Sequence, residues 1–285
     1  MTATILDGRL VAAEVKKEVA SQTEQFIKHG VKPFLATVQV GDDPASTSYL
    51  KSKHKVAQEV GIESEHHHLA GEISQSKLEA LLEQLNANPK VHGILVQLPL
   101  PPGFDEDSVF EKIAPQKDVD GLHPINAGRL SAGKETLVPC TPKGIVKLLL
   151  HYKIPVSGRQ AVIINRTTLV GRPLANLFLN RDATVTICHS KTANLALATK
   201  NADILISAVG REDFQIEPHH VKPHATVVDV GLTRVGGRLR GDVDFGKVSE
   251  LAEFITPVPG GVGPMTVACL LENTVEATRL QTRGG

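Results

Sequence analysis

A repeated change of hydrophobic period narrows the fold more than any other feature of this chain. Val11, Val15, Val19 and Phe26 lie on one stripe of a 3.6-residue period that ends near Gly30, and "PFLATVQV" at 33 to 40 then reads as a buried strand. A second helical segment follows. Leu78, Leu81, Leu82 and Leu85 mark a third helix, after which "HGILVQLPLPP" at 92 to 102 is an apolar strand stopped by prolines. Strands joined through helices run in the same direction, so this rhythm implies a largely parallel sheet with helices on its faces.

The loop-rich stretch "KDVDGLHPINAGRLSAGKETLVPC" (117 to 140) interrupts the rhythm, and "TPKGIVKLLL" restarts it with Thr141 as N-cap and Pro142 at the first helical position. A domain boundary is placed there. Beyond it lie four short β-rich runs, "QAVIIN", "ATVTICH", "ADILISAVG" and "ATVVDVGL", with a helix "RPLANLFLNR" between the first two. The final segment, "ITPVPGGVGPMTVACLLENTVEATRL", is a proline-glycine loop leading into a helix begun by Pro264.

The length of 285 residues suits two domains or one large α/β unit, and 31 Lys+Arg balance 31 Asp+Glu. No net field attracts nucleic acid or an anionic membrane, which leaves a small molecule as the default partner. Cys140, Cys188 and Cys269 are far apart and lack CxxC spacing, so they read as reduced thiols of a cytoplasmic protein. The N-terminal residues show no targeting pattern and no apolar run approaches membrane-spanning length. "HHH" at 66 to 68 suggests a metal cluster, but consecutive strand residues face opposite ways, and a polar edge is the simpler account. No metal site is expected.

Lys53 is the odd residue of the first half. In "TSYLKSKHK" (47 to 55) it shares a helical face with Tyr49, Val56, Ala57 and Val60, while Lys51 and Lys55 fall on the charged side. Ligands of open α/β sheets bind beyond the carboxyl ends of the strands. Gln97, Tyr49, Lys53, Asp118 and Asp120 can all reach one such rim. Burial of a lysine lowers its pKa by up to ~3–5 units and fits it for proton transfer. A Gln can bond the amine without adding charge, and a Tyr ring can stack on a flat heterocycle. On the pattern alone, a snorkelling lysine whose stem covers apolar surface remains the simpler account.

In the second half, the loop "NRTTLVGRP" (165 to 173) stands where a strand meets a helix N-terminus, the place for a dinucleotide phosphate. Only Gly171 of the GxGxxG pattern is kept, so the loop reads equally as a plain turn. The next strand ends in "HSKT" rather than an acidic residue. Ser190, Lys191 and Arg166 therefore offer donors and positive charge that favour NADP over NAD.

Seven stretches in order, "YLKSK" (49 to 53), "GILVQLPLP" (93 to 101), "KDVDGLHPINAGRL" (117 to 130), "PCTPKGI" (139 to 145), "VGRP" (170 to 173), "CHSKT" (188 to 192) and "ITPVPGGVGPMTVA" (255 to 268), resemble the bifunctional methylenetetrahydrofolate dehydrogenase/cyclohydrolases. They span nearly the whole chain. The resemblance implies oxidation of 5,10-methylenetetrahydrofolate with NADP and hydrolysis of the methenyl product to the 10-formyl form, in one shared cleft. It matches Lys53 to an essential lysine, Gln97 to the glutamine beside it, Tyr49 to a folate-stacking ring and Asp120 to the carboxylate holding the pterin. Pro259, Gly260 and Gly261 match a loop at the folate site, and Asn165, Arg166, Thr167, Gly171, Ser190 and Lys191 match the cofactor site. The implied fold is α/β in two domains: a βαβ catalytic domain (1 to 140 and 265 to 285, the last helix returning to it) and a Rossmann-type NADP-binding domain (141 to 264). Homodimers paired through the cofactor domain are also implied. A dehydrogenase without the hydrolytic step and a non-catalytic NADP-binding regulator are the rivals. One departure stands out: many members have glycine at Asn165, a turn that asparagine keeps by tolerating a left-handed backbone.

Overall fold

The computed structural model describes residues 2 to 282. The chain runs β1 (Thr4–Ile5), α1 (Gly8–Lys28), β2 (Phe34–Val40), α2 (Pro44–Glu59), β3 (Glu63–Leu69), α3 (Gln75–Ala87), β4 (Gly93–Val96), α4 (Glu106–Lys112) and α5 (Pro124–Ser131). It continues with α6 (Cys140–His151), β5 (Gln160–Ile164), α7 (Gly171–Leu179), β6 (Thr184–Cys188), α8 (Leu195–Thr199), β7 (Ile204–Ser207) and β8 (Thr226–Asp229). A hairpin of β9 (Thr233–Val235) and β10 (Arg238–Arg240), then α9 (Phe245–Val248), β11 (Phe254–Ile255) and α10 (Val262–Thr282) complete it.

Two compact units share these elements, one of residues 1–13 and 139–268, the other of 14–138 and 269–285. The second is built on a parallel three-stranded sheet in the order β3-β2-β4. Ala36, Val38, Ile94 and Val96 of this sheet pack with Leu78, Leu82, Val109 and Phe110 of α3 and α4. Leu78 and Leu82 are fully buried, and each such leucine stabilises the fold by about 1.5–3 kcal/mol. The helical period of α3 follows directly from them.

The loop between α4 and α5 is held by two buried charges. Lys117, 4% exposed, donates to the carbonyls of Leu85, Asn86 and Asn88 at 3.2, 2.8 and 2.8 Å, closing the C-terminal end of α3 where carbonyls lack helical partners. Burial lowers its pKa. The carboxylate of Asp118 accepts from the N–H groups of Leu122 and His123 and from Asn126 Nδ2, at 3.1, 2.9 and 2.8 Å. Its backbone bridges Ile94 in parallel, extending the sheet past β4. Gly93 permits this approach, since a Cβ there would lie 2.5 Å from Val119 Cγ1. The same unit receives the end of α10, where Asn273 Nδ2 donates to the carbonyls of Val119 and Val138, both at 2.8 Å.

The other unit carries a six-stranded parallel sheet, β1-β11-β8-β7-β5-β6. Val162, Ile164, Leu205 and Val227 are buried with Ile216, Val243 and Val248 against one of its faces. β5 is flanked by β6 on one side and β7 on the other, which creates a topological switch point at its carboxyl end. No helix among the described residues is long and apolar enough to cross a membrane.

Three boundaries differ from the sequence expectation. The N-terminal residues belong with the six-stranded unit rather than with segment 1 to 140, because Thr4 and Ile5 pair with Phe254 and Ile255. Met1 and the last three residues of the expected segment 265 to 285 lie outside the described residues. Helix α6 starts at Cys140 with Pro139 at its cap, so Thr141 is not the N-cap; its hydroxyl bonds that of Thr266 at 2.9 Å. Pro142 is tolerated because the first turn needs no N–H. Likewise α10 begins at Val262, two residues before Pro264.

Lys117→Met is expected to lower stability by about 1–3 kcal/mol, because three carbonyls lose a charged donor. A urea midpoint equal to that of the unchanged protein would count against this cap.

Candidate active site and nucleotide crevice

Lys53 lies on the buried face of α2, in line with Ser46, Leu50 and Ala57. Asp43 starts that helix by accepting from Ser46 N at 2.7 Å, and Pro44 follows in the first turn. The lysine is 6% exposed. Its Nζ donates to Gln97 Oε1 at 3.1 Å and stands 4.4 Å from the centre of the Tyr49 ring. The ring face attracts a cation at that distance, more strongly where water is excluded. Gln97 follows β4 directly; its N–H donates to Val38 O at 2.8 Å and its Nε2 to Leu98 O at 2.6 Å. With the amide nitrogen so engaged, the oxygen is left to face the lysine.

Tyr49 departs from the expected stripe. It is 38% exposed, while Leu50 occupies the buried line. A ring at the border of the apolar face keeps one side open, which a stacking residue requires. Asp120 is half-buried. Ile94 pairs with Asp118, and Asp120 follows two residues later in the turn that Gly121 N closes onto Asp118 O at 3.2 Å. Lys53, Tyr49 and Gln97 thus gather at the carboxyl rim of the three-stranded sheet. Asp118 does not join them, because its carboxylate is spent on the start of α5; burial raises its pKa and the three donors oppose that rise.

In the six-stranded unit, β5 and β6 end level, with Ile164 opposite Cys188. Arg166 and Ser190 therefore follow at equal distance past the sheet, both exposed, with Lys191 exposed next to Ser190. His189 shapes that second loop by accepting from Lys191 N at 3.1 Å and donating its own N–H to Thr192 Oγ1 at 2.9 Å. Gly171 opens α7 against the loop backbone, where a Cβ would lie 2.0 Å from Asn165 O. Asn165 is not among the described non-glycine residues with positive φ, which are Lys153, Asp182 and His224. It keeps the turn by side-chain hydrogen bonds instead of a left-handed backbone. Pro259, Gly260 and Gly261 lie in this unit, between β11 and α10. Gly260 has φ of 114° and a Cβ there would sit 3.2 Å from Arg9 Cζ.

The loop after β7 went unremarked in the sequence. Asp242, 1% exposed, accepts from Ser207 Oγ, Val209 N and Gly210 N at 2.7, 2.7 and 2.9 Å. Asp229 accepts from Gly231 N, Asp242 N and Val243 N at 3.0, 2.9 and 2.9 Å. Each carboxylate occupies the space over the other's neighbouring glycine: a Cβ on Gly231 would lie 2.1 Å from Asp242 Oδ1, and one on Gly241 2.0 Å from Asp229 Oδ2. Burial pushes Asp229 up to about 7 and the charge of Asp242 adds to the rise, while N–H donors oppose it. The two "DVG" and "GDVD" stretches are the only signal the sequence carried.

The three consecutive histidines lie on the outer strand β3. Thr37, fully buried, places its Oγ1 2.8 Å from His54 Nε2 and 3.0 Å from His66 Nδ1, and His54 Nδ1 meets Ser64 Oγ at 2.7 Å. One hydroxyl proton cannot serve two acceptors, so one ring must donate to Thr37.

The N-terminal part of the chain, residues 6–120, matches the family model for the catalytic domain of tetrahydrofolate dehydrogenase/cyclohydrolase, and residues 139–282 match its NAD(P)-binding domain. The "Bifunctional protein FolD" of Geobacillus thermodenitrificans is 50% identical over 280 residues, 98% of each chain. That of Halalkalibacterium halodurans is 48% identical over 279 residues, covering 98% of this chain and 100% of the relative. Among solved structures, the Campylobacter jejuni bifunctional FolD methylenetetrahydrofolate dehydrogenase/cyclohydrolase superimposes with a TM-score of 0.95 at 48% identity, covering 98% of this chain and 99% of that one. A Trypanosoma brucei methylenetetrahydrofolate dehydrogenase-cyclohydrolase, complexed with NADP cofactor and inhibitor, gives 0.94 at 36% identity over 99% of both chains.

The histidine group yields a pH prediction. Burial, then the charges of His66 and Lys53, lowers the pKa of His54; burial, then His68 and His67, lowers that of His66. The unfolded chain binds these protons more readily, so the stability is present above the ordinary value of 6.5 and is lost as pH falls below it. The double variant His54→Gln, His66→Gln is expected to show a smaller fall in Tm than the parent between about pH 7.5 and 5.5. An equal fall in both proteins would show that the pair does not titrate with unfolding.

Proposed function

The chain belongs to the tetrahydrofolate dehydrogenase/cyclohydrolase family, and on that premise we infer how its own residues divide the chemistry. It oxidises 5,10-methylenetetrahydrofolate to 5,10-methenyltetrahydrofolate with NADP and hydrolyses that product to 10-formyltetrahydrofolate. NADP supplies the hydride acceptor when bound. The observation that carries the residue assignment is the buried Lys53 amine, 3.1 Å from Gln97 Oε1 and 4.4 Å from the Tyr49 ring.

In this reading the three-stranded unit holds the folate. Tyr49 stacks its open face on the flat heterocycle and Asp120 accepts hydrogen bonds from the pterin ring. Pro259, Gly260 and Gly261 are the proposed further substrate contacts. For hydrolysis, a water oxygen bonds to the methenyl carbon while one of its protons passes to the Lys53 amine. The carbinolamine then collapses to a formyl group on N10 as the C–N5 bond breaks. The Lys53 ammonium returns its proton to N5, and the hydroxyl proton leaves to solvent. Gln97 orients the amine without adding a charge that would hold the proton on it.

The six-stranded unit holds the dinucleotide at the switch point beyond β5. The residues present fit it: Arg166 brings a guanidinium and Ser190 a hydroxyl to one level past the sheet, where no acidic side chain would repel a 2′-phosphate. Thr167, Gly171 and Lys191 complete the proposed site, with Asn165 at the start of its loop. We further propose a homodimer paired through this unit. β6 is an outer strand whose Ile187 is 37% exposed, which supports that edge. A cytoplasmic location agrees with three buried cysteine thiols.

Lys53→Met is expected to fold and bind NADP but to lose cyclohydrolase turnover by about 10²-fold or more, followed as decay of the methenyl absorbance. Undiminished hydrolysis would remove the lysine from that role. Arg166→Ala should raise the Michaelis constant for NADP about tenfold and that for NAD far less. Equal changes would show that Arg166 does not read the 2′-phosphate.

A further inference from the structure

Asn165 holds the two lips of the nucleotide crevice, and the way it does so sets up a competition with the ligand. Its Oδ1 accepts from Thr167 N at 2.8 Å, Thr167 Oγ1 at 2.8 Å and Gly171 N at 3.0 Å. Its Nδ2 donates to Ala208 O, in the loop after β7, at 2.6 Å. The other N–H groups at the start of α7 are taken as well: Val170 N donates to Thr167 Oγ1 at 3.2 Å and Arg172 N to Thr167 O at 3.0 Å. Pro173 has none to offer. The donors that a strand-loop-helix turn ordinarily presents to a dinucleotide phosphate are thus satisfied from within.

The arrangement around Oδ1 is unusual for an amide. A carbonyl oxygen has two lone pairs, and here three donors converge on one. Such a pocket suits a phosphoryl oxygen better, because a charged acceptor supports more and stronger hydrogen bonds. We propose that Asn165 Oδ1 is an internal surrogate for a phosphate oxygen, so that the dinucleotide's pyrophosphate, common to NADP and NAD, binds by displacing the Asn165 side chain from Thr167 and Gly171. Apparent affinity is then reduced by the fraction of molecules in which the asparagine holds the donors. A glycine at this position leaves those donors open. The inference rests on the β5–α7 loop being the dinucleotide site, as assigned above.

Equilibrium titration of the full-length protein with NADP, NAD and inorganic pyrophosphate tests it, using Asn165→Gly, Asn165→Ala and Arg166→Ala. Both Asn165 variants are expected to bind NADP and NAD about three- to tenfold more tightly, by the same factor for each, and to bind pyrophosphate more tightly. Both should also lose thermal stability, as the four side-chain hydrogen bonds of Asn165 are gone. A structural role alone predicts the lost stability without the gain in affinity. Dissociation constants unchanged or raised in both variants overturn the proposal, as does a gain confined to NADP, which would locate the effect at the 2′-phosphate. If Arg166→Ala weakens NADP while the Asn165 variants change nothing, the surrogate role alone fails. If none of the three alters either dinucleotide, the site assignment fails with it.

Discussion

Removing a primary amine from water is unfavourable unless something replaces its hydration, and the three-stranded unit is organised around that requirement. Lys53 is buried on the inner face of α2 because Leu50 and Ala57 share its line, and the helix cannot turn it outward without exposing them. Among what faces the amine are a neutral amide oxygen at 3.1 Å and an aromatic ring at 4.4 Å. The position of that amide depends in turn on β4, which is bridged near its start from Ile94 to Asp118 and held at its end by Val38, opposite Val96 and accepting from Gln97 N at 2.8 Å.

The "KDVDG" stretch shows how charges close in sequence can serve different ends. Lys117 closes α3, Asp118 starts α5, and Asp120, in the turn just after them, is the carboxylate proposed for the pterin. Read as a string, all three are charged loop residues. Hydrogen bonding separates the structural pair from the functional one.

Much of the fold was legible because period and burial coincide: Leu78, Leu82 and Leu85 are the buried positions of α3, and the four β-rich runs are β5, β6, β7 and β8. Lys53 and Gln97 could be placed together because Gln97 directly follows β4 and Lys53 lies on the helix that follows the neighbouring parallel strand β2. Other features left little trace. The two-residue strands β1 and β11 are too short to show a period, and α5 begins at a proline inside a stretch that reads as loop. Tyr49 was assigned to the apolar line because a helical wheel does not tell the border of a face from its centre. The role of Asn165 was invisible for a further reason: propensity describes its backbone, whereas its side chain makes four hydrogen bonds across two loops.

The pairing of Thr4 and Ile5 with Phe254 and Ile255 joins sequence distant in time as well as in number. On the ribosome, this edge strand waits for its neighbour until Phe254 and Ile255 have been made. The other unit waits too, since Asn273 must arrive before the carbonyls of Val119 and Val138 find their donor. The six-stranded sheet therefore stays open at that edge until β11 is made, and the nascent chain must keep its unpaired strands from wrong partners meanwhile.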